Sequence, residues 1–178
     1  QSDVQYGFLM LEPDHHQQLL ADIGLDHADD LLAAVAARLR SLLGDDATLA
    51  RYGGHTLAVL LRASDYHATV TTAERLRAGF ADHVVEIAER SSTVTISIGG
   101  VQVGEKIANV AQVLARASNA LESASGTGGN RCEVFDPSAV DRVEEERVQA
   151  WVARLRGALD ADGFVLHYQP IINLQGDN

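Results

Sequence analysis

The sequence predicts an α+β domain with a mixed, mostly antiparallel central sheet flanked by helices, followed by a separate helix. Three observations carry that expectation. Apolar runs of strand length alternate along residues 6–135 with segments whose apolar residues recur at helical spacing. Turn-forming pairs and polar breaks divide these runs, giving the order β-α-β-β-α-β-β-α-β and an end near Asp136. Beyond Pro137 the pattern becomes one long amphipathic stretch.

The run Tyr6–Leu11 reads as a buried strand, stopped at Glu12-Pro13-Asp14 because proline cannot donate to a ladder. Leu31, Leu32, Val35, Leu39 and Leu42 then recur at helical spacing in an Ala-rich background, with Gly44 as the stop. Leu49–Tyr52 and Thr56–Leu61 flank Gly53 and Gly54. This predicts a hairpin whose two-residue loop takes the positive φ angles that glycine allows. Asp65 is placed to cap a helix carrying Val70, Ala73, Leu76, Arg77 and Phe80. His83–Ala88 and the β-branched run Thr93–Ile98 read as a second hairpin, joined through polar Glu89–Ser92. A helix bearing Val110, Val113, Leu114, Ala117 and Leu121 breaks in Ser125–Gly129, and Arg131–Phe135 forms the last strand.

In the following stretch, Val140, Val143, Val148, Trp151, Leu155 and Leu159 are placed along one side of a helix, with Glu144–Glu146 on the other. Such a helix either packs on its own domain with a solvated acidic face or connects two domains. Gly163–Ile172 reads as a fresh strand with no sequence left to build on it, which favours the connector. The expected organisation is therefore a domain over 1–136, a linker helix over 137–162, and the start of a further domain over 163–178. A start at Gln1 without Met fits a segment from the middle of a longer protein.

Composition excludes several functions. The net charge is −11 and no basic cluster interleaves with aromatics, so binding nucleic acid through phosphate neutralisation is not expected. The single cysteine, Cys132, cannot form an internal disulfide and reads as an apolar filler in a reducing compartment. No apolar run approaches the ~20 residues of a membrane span, and no signal-peptide pattern appears; a cytoplasmic location is expected.

The residues around the first hairpin carry a resemblance. Leu49–Leu61, LARYGGHTLAVLL, resembles the hairpin of GGDEF (diguanylate cyclase) domains, whose tip reads Arg-x-Gly-Gly-Asp/Glu-Glu-Phe. Gly24–Leu32 is similar to the family's Gly-His-x-x-Gly-Asp-x-x-Leu segment, and Val94–Gly99 to its Val-Thr-x-Ser-Ile-Gly strand. Ala115–Leu121 with Gly129–Arg131 is similar to its closing helix and strand. The tail Phe164–Leu174 resembles the opening strand of EAL (cyclic di-GMP phosphodiesterase) domains. GGDEF followed by EAL is a familiar tandem, and this chain looks most like tandem regulators of the FimX type.

The resemblance implies a nucleotide site and shows where it has changed. Mg²⁺ prefers hard oxygen ligands, and the family supplies one carboxylate from the end of the first strand and one from the hairpin tip. The first maps to Glu12; the tip positions after Gly53 and Gly54 hold His55 and Thr56. The family's guanine-reading Asn maps to Leu20 and its partner acid to Asp29. The phosphate-binding cations map to Ser125 and Gly129, and the inhibitory Arg-x-x-Asp motif to Gly44–Ala47. Glu12, Asp29, Gly53, Gly54, His55 and Thr56 are thus read as a remnant nucleotide site, with no catalytic residue, no metal and no cofactor.

The function implied is a catalytically inactive scaffold or relay in cyclic di-GMP signalling. It couples an upstream sensor to an EAL-like domain in cis, with homodimer contacts and a link to type IV pili and twitching motility as further implications. Cyclic di-GMP is expected at the EAL domain. Two alternatives stand beside it: GTP held as an allosteric effector by Asp29 and Glu12, and an active cyclase using Glu12 and His55 with a transition metal. His15, His16 and His55 are read as surface or loop histidines rather than metal ligands, because nothing in the sequence fixes their mutual geometry. Asp26 or Asp29 reads as a helix cap, Gly126–Gly129 as a plain loop, and Trp151 as a packing anchor. Gln169 resembles an EAL position near the dinucleotide.

Overall fold

The computed structural model describes residues 4–104 and 109–160. The strand expected over 163–172 lies outside the described residues. The chain divides into two compact units, Gln1–Ser138 and Ala139–Asn178.

In the first unit β1 (Tyr6–Pro13) is the centre of a five-stranded sheet with β2 (Ala47–Arg51), β3 (Leu57–Arg62), β6 (Ile96–Val103) and β7 (Cys132–Phe135), ordered β2-β3-β1-β6-β7. All pairs are antiparallel except β6–β7. The mixed, mostly antiparallel sheet with flanking helices is the predicted fold class. Register sorts side chains by face: Leu9 lies opposite Val59 and Gly100, while Met10 lies opposite Ala58 and Gly99. Leu9 and Leu11 join the larger core, with Leu31, Leu32, Val35 and Leu39 of α2 (Ala28–Leu42) and Ala73 and Leu76 of α3 (Tyr66–Ala78). Met10 and Val101 join the smaller core, with Ala117 and Leu121 of α4 (Val110–Gly126). β1 therefore contributes to two cores, which explains its continuous apolar run.

Two close approaches set the helix–sheet spacing. A Cβ on Gly99 would lie 2.1 Å from the Leu121 amide nitrogen and 2.4 Å from the Ala117 carbonyl oxygen, so α4 lies directly against β6. On the other face, Gly7 admits Thr69 of α3. The Thr69 hydroxyl sits 2.8 Å from that of Ser64, and the Gln102 amide donates to the Ser64 carbonyl at 3.1 Å, so this buried polar cluster is satisfied.

Several local expectations need correction. A separate helix, α1 (His16–Ile23), precedes α2 and ends at Gly24, whose φ of 113° breaks the chain direction. Its apolar residues, Leu19, Leu20 and Ile23, pack only partly on the core, so its periodic signal is weak. The first hairpin has no two-residue turn. Its strands end at Arg51 and restart at Leu57, and the Tyr52 and Gly53 amides both donate to the Thr56 carbonyl, at 2.9 and 3.2 Å. Neither Gly53 nor Gly54 takes a positive φ, and a Cβ on either would meet nothing within 4 Å.

The second hairpin pairs β4 (Val84–Ile87) with β5 (Arg90–Thr93), a sheet of its own, turning at Ala88 and Glu89 with φ of 52° and 63°. The run Thr93–Ile98 is instead divided: its end opens β6, which belongs to the main sheet. Its β-branched residues carry strand propensity, which does not choose a partner. Asp65 caps α3 as expected, accepting from the Ala68 amide at 2.7 Å. The N-cap of α2 is His27, with Asp29 in the first turn, rather than Asp26 or Asp29.

The second unit contains most of α5 (Pro137–Asp160), at the place of the expected amphipathic helix.

The two kinds of glycine make a paired prediction. Gly99→Ala forces α4 off the sheet and lowers unfolding stability by roughly 1–3 kcal/mol. Gly54→Ala meets no neighbour and stays within about 0.5 kcal/mol of the parent. Urea denaturation of both variants checks the contrast.

Candidate functional site

The residues singled out in the sequence fall on three elements. Glu12 ends β1, Asp29 opens α2, and Gly53, Gly54, His55 and Thr56 form the β2–β3 loop. The end of β1 is fixed by a residue that sequence reasoning passed over. The Asp14 carboxylate accepts from the Ser97 hydroxyl at 2.5 Å, the Thr95 hydroxyl at 2.7 Å and the Asn130 amide at 2.7 Å. Its own amide donates to the Thr95 carbonyl at 2.9 Å. One carboxylate thus ties together β1, the start of β6 and the turn after α4. The packing is tight enough that a Cβ on Gly129, whose φ is 72°, would fall 2.6 Å from the Asp14 Oδ1 atom. The signal in sequence is slight: an acid just past a strand-ending proline, with Thr95 and Ser97 two apart on a later strand.

With β1 held there, the Glu12 side chain, 18% exposed, faces the loop. Its Oε2 lies 3.3 Å from the His55 Nε2. His16, in the first turn of α1, stacks on His55 with ring centroids 4.0 Å apart and 15° between planes. The sequence left this geometry open; the structure brings His16, His55 and Glu12 together. Burial and the neighbouring His55 push the His16 pKa below the ordinary imidazole value, against smaller opposing effects of Glu12 and the Pro13 carbonyl. Parallel stacking keeps the two rings from aiming lone pairs at one point. Among the described residues, no group of three or more His, Cys, Asp or Glu side chains could hold a metal ion. His15 stays apart, exposed at the N-cap of α1 with a φ of 53°.

Asp29 reaches the same loop through Arg51. The guanidinium lies 2.8 Å from the Asp29 Oδ1 and donates to the carbonyls of Gly53 at 3.1 Å and Gly54 at 3.3 Å. Both side chains are more than half exposed, so the ion pair contributes at most about 1 kcal/mol. Behind it a cleft is lined by Leu32, Ala36, Leu49 and Leu57, with Arg40 and Arg51 among its polar residues. Leu20 packs partly on the core and offers no hydrogen-bonding group. Ser125 and Gly129, at the end of α4 and in the turn after it, offer no cation. Cys132 is inert as a nucleophile: burial, with Glu74 nearby, pushes its thiol up to about 12.

A central mostly antiparallel sheet, helices packed on both faces, and a glycine-tipped loop beside the end of the central strand define a cyclase-like α+β domain. Residues 1–131 match the family described as "Diguanylate cyclase, GGDEF domain", and the chain belongs to that family. It is similar to the FimX GGDEF domain from Pseudomonas aeruginosa, with 28% identity and a TM-score of 0.67 over 74% of this chain and 80% of that one. It is also similar to the cyclic di-GMP phosphodiesterase NbdA of Pseudomonas aeruginosa, 28% identical over 93% of this chain and 21% of that protein. The cyclic di-GMP phosphodiesterase PdeR of Escherichia coli is 29% identical over 96% of this chain and 25% of its own length. The chain thus spans about a quarter or less of these relatives. Among the described residues, no helix is long and apolar enough to cross a membrane.

Two predictions follow from these geometries. Asp14→Ala removes three hydrogen bonds to a charged acceptor and lowers stability by roughly 3 kcal/mol in denaturant titration. His16 and His27 give pH dependences of opposite sign. The folded state favours the neutral form of His16, so its contribution is full above the unfolded value of about 6.5 and is lost as pH falls from there toward the lowered folded pKa. The hydrogen bond to Asp30 raises the His27 pKa, so its contribution is full below about 6.5 and is lost as pH rises through the folded value. His16→Phe therefore flattens the acid side of the stability profile, and His27→Ala the neutral side, as measured by urea midpoints across pH.

Proposed function

We propose that residues 1–136 form a catalytically inactive GGDEF-like domain that serves as scaffold or signal relay in a cyclic di-GMP signalling protein. The single observation that carries this reading is the Glu12–His55 contact. Where the family's chemistry needs a second carboxylate facing the first across a metal ion, this loop presents an imidazole. A neutral imidazole is a poor Mg²⁺ ligand, and a protonated one repels the ion. The acid at Glu12 then has a partner already and no companion with which to seat the metal.

The remaining positions point the same way with different weights. Asp29 is engaged by Arg51, but an exposed pair worth at most about 1 kcal/mol weakens a competing ligand only about fivefold. Loss of the cations matters more: Ser125 and Gly129 leave the triphosphate with less compensation in a chain of net charge −11. Gly129 is also pressed against Asp14, so a longer side chain does not fit there without displacing the carboxylate.

The reading extends to the sequence after residue 136. Two relatives named as cyclic di-GMP phosphodiesterases align over 93% and 96% of the chain, well past residue 131 where the family match ends. That supports α5 as a link toward an EAL-like domain in cis, where cyclic di-GMP would bind. Similarity to the FimX GGDEF domain supports the FimX-type comparison and, with it, a role connected to type IV pili and twitching motility in the cytoplasm.

Incubation with GTP and Mg²⁺ followed by chromatography tests the proposal. No cyclic di-GMP forms, and His55→Asp combined with Thr56→Glu restores none, because the cations are missing too. Product that disappears in Glu12→Ala overturns the reading. Titration calorimetry with GTP separates the allosteric alternative: heat of binding that Asp29→Ala abolishes, without product, selects a GTP effector over a pure scaffold.

A further inference from the structure

The amphipathic helix carries a pattern that a connector does not require. Several of its apolar side chains are exposed: Trp151 is 62% and Val148 53% accessible. Glu144 does not lie on the side opposite them. It shares a shallow groove with Arg147, Val148, Trp151 and Arg154, because positions 144, 148 and 151 follow the i, i+4, i+7 spacing of one helix face. That face begins with an acid at Glu144, carries Arg147, Val148 and Trp151 through its middle and ends with a base at Arg154. The whole helix repeats the asymmetry: residues 137–148 carry a net −2, and residues 149–160 a net +1.

From this we infer that α5 is a self-association surface whose occupant is a second copy of the same helix running antiparallel. In a parallel, in-register pair, Glu144 meets Glu144 within the seam, with like charges opposed where water is excluded. Reversing one helix about a point near residue 149 places Glu144 of each copy beside Arg154 of the other. The same reversal brings Trp151 next to Arg147, where a guanidinium on an indole face adds a cation–π contact. Val143 of one copy then approaches Leu155 of the other. The internal Glu144–Arg147 bridge, 3.7 Å between highly exposed groups, is too weak to compete. Burying Trp151 and Val148 in the middle gives an aromatic anchor flanked by charge pairs, the arrangement that concentrates binding energy in few residues.

This inference is independent of whether the GGDEF-like domain turns over or binds GTP. Sedimentation velocity on the 178-residue chain tests it, up to about 100 µM. A reversible dimer is expected. Glu144→Arg and Arg154→Glu each weaken it about tenfold or more, and the double variant, in which the charges are exchanged, recovers it. Circular dichroism confirms that helicity is kept in each. In a Cys132→Ser background, Val143→Cys and Leu155→Cys cross-link when mixed, and neither cross-links with itself. A monomer at every concentration overturns the proposal, as does a dimer indifferent to charge exchange or one in which Val143→Cys bridges to itself.

Discussion

The placement of the loop chemistry depends on a single carboxylate. β1 runs through the middle of the sheet and must stop at a fixed height, because its penultimate residue, Glu12, is the acid that faces the hairpin loop. Asp14 sets that height. It accepts hydrogen bonds from two hydroxyls of the β6 segment and from the amide that follows the α4 turn. Such charge-assisted bonds are stronger and more directional than neutral ones. They act across sequence separations of 81 to 116 residues, so they join parts of the chain that local propensity cannot align. The same carboxylate limits what position 129 can be, since only a glycine clears it at that φ.

Around that fixed point several polar groups of the loop find partners on neighbouring elements. Glu12 meets His55, His55 stacks on His16, and Arg51 spans Asp29 and two loop carbonyls. Each contact is modest. Together they tie the loop to β1, α1 and α2 through side chains that stay partly exposed. The glycines fit this picture in an unexpected way. Neither needs a glycine's conformational range, and both have empty space where a Cβ would go. The hairpin is held by its strands, with Ala47 opposite Leu61 through Arg51 opposite Leu57, so its tip contributes little to folding.

The sequence displayed most of the strands, the helices α2 to α5 and the family resemblance, because periodicity and apolar content are local properties. The places where it misled share a cause. α1 has only three apolar residues resting partly on the core, so its pattern fell below the signal of its neighbour α2. The β4–β5 hairpin hid its second strand in a polar run, Arg90–Thr93, that is mostly exposed. Gly53-Gly54 looked like a two-residue turn because composition indicates what glycine permits and not what the backbone uses. The Glu12–His55–His16 contact needed three elements in their final positions, and no spacing rule connects residues 12, 16 and 55.

For α5 the difficulty was one of angle. Glu144 belongs to an acidic triplet, and a triplet of neighbours on a helix spreads over 200°, so its members cannot all occupy one side. Once Glu144 is placed beside Val148 and Trp151, the triplet no longer marks a solvated face. Glu145 and Glu146 remain free to serve that purpose, but Glu144 sits within the apolar stripe, where its carboxylate, bridged only weakly to Arg147 at 3.7 Å, disfavours any covering surface of like charge. A stripe that ends in an acid at one end and a base at the other is complementary to itself only when reversed. The preference for an antiparallel partner therefore follows from the order of three residues along one turn-by-turn path, Glu144, Trp151 and Arg154, and does not depend on how strongly the two helices hold.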